Sequence, residues 1–97
     1  MTHQLSYAQL LENARAETTR LQTLTQDITT ELYQMSQHYL RMGWHAGFSD
    51  YYAQRREVHT QLVYAEADLQ RSKARERKLA ALVAAGEVRG RELLAVA

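Results

Sequence analysis

The chain has no cysteine and no proline among its 97 residues, and only four glycines. Without cysteine there is no disulfide framework and no thiol chemistry, although the compartment stays undecided. Without proline, and with glycine only at positions 43, 47, 86 and 90, regular structure meets few breaks. No charge of one sign dominates: the formal net charge is +1, which gives no strong overall pull toward nucleic acid or membrane. Long hydrophobic runs are missing as well. The longest, residues 79–85, is far too short to span a bilayer, and the opening MTHQLS lacks the basic and apolar regions of a signal peptide.

What remains is helix. Ser6 followed by Gln9 has the spacing of a capping box, with Leu5 and Leu10 placed as a hydrophobic staple. From there a stripe at helical spacing runs through Tyr7, Leu11, Ala14, Thr18, Leu21, Thr25, Ile28, Leu32, Met35, Tyr39 and Met42. Gly43 stands where a helix ends in a left-handed residue, a geometry that would fold Trp44 back over Tyr39. Ser49 or Asp50 can cap a second helix. Its stripe is Phe48, Tyr51, Arg55, Val58, Leu62, Ala65, Leu69, Ser72, Glu76, Leu79 and Val83.

The two stripes mirror each other about residue 45. Folding there sets Ile28 by Leu62, Leu21 by Leu69, Thr18 by Ser72, Ala14 near Glu76 and Tyr7 by Val83. A short connection favours antiparallel neighbours. The expected fold is therefore all-α: an antiparallel hairpin of helices at about residues 7–42 and 50–85, forming one domain over 1–97. Gly86 and Gly90 predict a loosely attached segment, 86–97, as a short or frayed third helix.

A hairpin buries only its seam. Leu10, Leu24 and Leu40, and Val63, Tyr64 and Leu82, fall beside the stripes, and exposed apolar strips of this kind mark interfaces. Small cores need extra burial, so the sequence predicts association, as a homodimer or with another helical protein, into a four-helix bundle. Arg55 and Glu76 occupy seam positions where a buried charge is costly, and in a tip-to-base pair of hairpins they would come level. The competing expectation is that both side chains reach solvent. Six of the eight aromatics crowd residues 33–52. Tyr33, Trp44, Phe48 and Tyr52 are thus candidate contact residues beside Arg55, Tyr64, Glu76 and Leu82, with plugging of the bundle end as the structural alternative.

Other chemistry finds little support. In RSKARERK, residues 71–78, the basic side chains spread around the helix, which argues for a solvated segment over a phosphate-tracking face. His3, His38, His45 and His59 do not form a metal-ligand spacing, and no nucleophile–base set or phosphate-cradling loop is present. Neither an enzyme nor a cofactor is expected.

The length, the hairpin layout and the tip tryptophan resemble the WXG100 family, small helical hairpins exported by type VII secretion. That resemblance implies Trp-x-Gly at the turn, antiparallel hairpin dimers, a Tyr-x-x-x-Asp/Glu export signal and export without a cleavable signal peptide. Here the turn reads Trp44-His45-Ala46-Gly47, one residue longer, and Tyr64-Ala65-Glu66-Ala67-Asp68 lies in the middle of the second helix instead of after it. Two other classes stay open. One is a cytoplasmic adaptor, chaperone or inhibitor, phage- or plasmid-encoded, that binds a host protein. The other is a nucleic-acid-binding protein using residues 71–78.

Overall fold

In the computed structural model, two helices pack as a hairpin: α1, Tyr7–Met42, and α2, Phe48–Val96. The structure describes residues 5–42 and 48–96, with the side chains of 5–41 and 50–87. The expectations for Gly43, Trp44, His45, and the Phe48 and Ser49 side chains fall outside the described part.

The start of α1 follows from its cap. The Ser6 amide donates to Gln9 Oε1 at 2.9 Å, and the Gln9 amide donates back to Ser6 Oγ at 3.2 Å. Two amides that the first turn would otherwise leave unsatisfied are thereby bonded. Along this threonine-rich helix, Thr18, Thr19, Thr25 and Thr29 each donate the hydroxyl to the carbonyl four residues back. Their polar atoms are satisfied locally, so the seam can take up Thr18 without loss.

The chain divides into two compact units, Met1–Thr19 with Gln70–Ala97, and Arg20–Leu69. In the first, buried Leu11, Ala14 and Leu79 form a cluster, and Leu10, Ala80 and Val83 pack against it. Beside them Thr18 and Ser72 are both buried, with their hydroxyl oxygens 2.7 Å apart. In the second unit Leu21, Ile28, Ala65 and Leu69 are buried, and Leu32, Met35, Val58 and Leu62 are half-buried. There Tyr39 stacks on Tyr51, ring centroids 4.3 Å apart, and the Tyr51 hydroxyl donates to Ser36 Oγ at 3.4 Å. Leu11 and Leu79, Thr18 and Ser72, and Tyr39 and Tyr51 are each equidistant from position 45, the register that the mirrored stripes predict.

Two expectations need correction. α2 runs unbroken through Gly86 and Gly90 to Val96, where the sequence suggested loosening at Gly86 and a separate helix. A glycine costs a helix about 1 kcal/mol relative to alanine. Without proline nearby, that is too little to end a helix of 49 residues. Tyr7, expected in the seam, is exposed, and Leu10, expected outside it, takes a place in the packing. The reason is chemical: in the first turn of the helix a phenol keeps its polar tip in water, while leucine has only apolar surface to bury.

Arg55 and Glu76 follow the second of the two expectations, in which the side chains leave the seam. Arg55 is exposed. Glu76 is half-buried and lies 3.8 Å from Arg15 of the same chain. Both charges are met without a second molecule, so neither requires a partner at the seam.

Candidate interaction surface

The hairpin leaves large apolar side chains uncovered. Tyr33, Leu40, Tyr52, Val63 and Tyr64 are exposed in Arg20–Leu69, as is Leu82 in the other unit. The values range from 43% for Leu82 to 71% for Leu40, well above those of the seam residues, none of which exceeds 9% among the buried set. Leu24, Leu5 and Tyr7 extend this set.

Helix geometry groups them. Tyr33 and Leu40 are seven residues apart, close to two turns, and share a face of α1. Tyr52 and Val63 are eleven apart, close to three turns, and share a face of α2. Tyr64 follows Val63 directly and so points about 100° away around the helix, onto a face shared two turns on with Arg71. The proposed residues therefore do not converge on one point. They lie on more than one helix face.

Of the eight residues singled out by sequence, Tyr33, Tyr52, Arg55, Tyr64 and Leu82 are exposed, and Glu76 is held by Arg15. Trp44 and the Phe48 side chain lie outside the described residues. Sequence reasoning gave Leu40 the same standing as Leu10, but only Leu40 is open to solvent. It also placed Trp44, outside the described residues, over Tyr39, and it did not single out the stack of Tyr39 on Tyr51. The signal was present, since both tyrosines sit on the mirrored stripes.

Tyr33, Gln34, Gln37, His38 and Arg41, all from the last turns of α1, line an open depression of about 290 Å³. Its side chains are mostly amides and a phenol, without a nucleophile beside a base. Among the described residues, no group of three His, Cys, Asp or Glu side chains could hold a metal ion. No described helix is long and apolar enough to cross a membrane. Of the basic segment, Arg71, Arg75, Arg77 and Lys78 are exposed and Lys73 is half-buried.

No protein family, curated protein or solved structure matches the chain.

Proposed function

We propose that the chain is a non-enzymatic protein-interaction module, a helical hairpin that pairs with a second hairpin, its own or another protein's, to complete a four-helix bundle. The observation that carries this reading is surface. Tyr33, Leu40, Tyr52, Val63, Tyr64 and Leu82 are each at least 43% exposed, while the buried seam residues stay at 9% or less. Large apolar and aromatic side chains left open to solvent mark contact surfaces, and tyrosine is favoured at interface centres.

A WXG100-type secreted hairpin is one form of this reading. The hairpin fold, the end of α1 at Met42 just before Trp44, and the exposed Tyr64 at the head of Tyr64–Asp68 support it. Export without a cleavable signal peptide belongs to that form. A cytoplasmic adaptor, chaperone or inhibitor shares the same surface and needs no export. Binding of nucleic acid through residues 71–78 is a further reading: exposed Arg71, Arg75 and Lys78 share a helix face, but Lys73 is half-buried and Arg77 lies on another face.

The experiment is to replace Tyr33, Leu40, Val63 and Tyr64 by serine. These side chains are exposed, so helicity should be retained, while association with the partner is lost. Retained association, or collapse of the fold, would contradict the proposal.

A further inference from the structure

Within one compact unit, Met1–Thr19 with Gln70–Ala97, α2 stacks cations on a single exposed face. Arg71, Arg75 and Lys78 follow one another at intervals of four and three residues, so they sit on successive turns. Leu82 and Ala85, also exposed, continue the same face at the same intervals.

Helical rotation of about 100° per residue fixes where this face lies relative to the seam. Counted from buried Ser72, Glu76 is about 40° to one side, where it meets Arg15 of α1 at 3.8 Å. Arg71, Arg75, Lys78 and Leu82 are about 60–120° to the other side. The acid next to Arg75 in sequence therefore serves the opposite flank. Arg75 and Lys78 have no acidic residue three or four positions away on α2, and among the described residues neither makes an ion pair. Like charges at these spacings repel, so an anion docked there relieves a repulsion within α2.

We infer that this face receives an acidic amphipathic helix, with carboxylates at three- or four-residue spacing against Arg75 and Lys78 and an apolar side chain against Leu82. This rests on the protein-binding reading above and gives the chemistry of the partner. Cations at one end of the face and apolar surface at the other also set the direction in which such a helix lies. A nucleic-acid strand would instead call for cations or stacking aromatics along its path. Here the cations give way to leucine and alanine within two turns.

The probe is a fluorescein-labelled, alanine-rich helical peptide with glutamates at three- and four-residue spacing and a leucine one turn on. Its control carries lysine in place of glutamate. Each is titrated with the full chain and read by fluorescence anisotropy. The expected result is binding of the glutamate peptide alone, with a Kd that rises roughly tenfold between about 50 mM and about 500 mM salt. Arg75→Glu with Lys78→Glu should weaken that binding roughly tenfold or more and transfer it to the lysine peptide. Both side chains are exposed, so helicity should be unchanged.

Failure of the glutamate peptide to bind, equal binding of both peptides, or a Kd indifferent to the double substitution would overturn the inference. Tighter binding of a labelled oligothymidylate, lost on the same substitutions, would overturn it in favour of nucleic acid. The serine variants of Tyr33, Leu40, Val63 and Tyr64 test the protein-binding reading separately, so the two can fail independently.

Discussion

The hydroxyls of Thr18 and Ser72, 54 positions apart in the chain, meet at 2.7 Å in a buried seam. Thr18 Oγ1 also lies 2.9 Å from the Ala14 carbonyl, which can only accept. The single Thr18 proton therefore goes to Ala14, and Ser72 donates to Thr18. This ordered chain of bonds ties the two helices at one register. Removing the acceptor by Thr18→Val should cost about 1–2 kcal/mol, since the Ser72 donor loses its partner. Ser72→Ala should cost less, and the double variant less than the sum of the two. Urea unfolding of the four proteins measures the cycle. Strict additivity would show that the contact does not couple the helices.

The same pair gives a geometric test on a clean background, because the chain has no cysteine. Cysteines at 18 and 72 should oxidise readily to an intramolecular disulfide, as their side chains already meet. Cysteines at 18 and 79 lie about two turns out of register and should not. Comparable yields would place the fold-back elsewhere than residue 45.

Leu79 tests the core beside it. It is 8% exposed within the cluster of Leu11 and Ala14. Leu79→Ala should lose about 2–4 kcal/mol, a loss of the size found for buried leucines truncated to alanine. Thermal unfolding should show the transition shifted well below that of Leu82→Ala, because Leu82 is much more exposed. Similar losses at both sites would contradict the assigned seam.

Gly86 tests the length of α2. A Cβ built there meets nothing within 4 Å, and the backbone is helical. Gly86→Ala should therefore stabilise the fold by about 0.5–1 kcal/mol, through helix propensity and a less flexible unfolded chain. A destabilised variant would show that α2 does not continue as helix through position 86.

These residues also show what could be read from sequence. Stripes of apolar and small residues specify a hairpin register because helical period and chain reversal leave few alternatives. Leu11, Ala14, Thr18, Leu21, Ile28, Ala65, Leu69, Ser72 and Leu79 are buried as the stripes require. At the ends of the stripes the pattern weakens. Tyr7 and Leu10 exchange roles, and Gly86 sits inside a helix, because propensity differences near 1 kcal/mol do not decide such positions. Seam charges are harder still. Long side chains such as Arg15 and Arg55 can leave or enter a seam by rotamer alone, so the Arg15–Glu76 contact is invisible in a list of positions. The exposed apolar surface was legible as residues that miss the stripe. Its partner was not, since helical spacing records what faces inward and says nothing of what arrives from outside.

The central claim is that this hairpin pairs with a second hairpin, its own or another protein's, and self-pairing is the form that can be measured on the chain alone. Its most direct test is the molar mass of the unmodified chain, measured by light scattering over a dilution series at low salt. The account predicts twice the 11.2 kDa chain mass, falling toward the single-chain value on dilution. A mass of one chain at every concentration would contradict self-pairing.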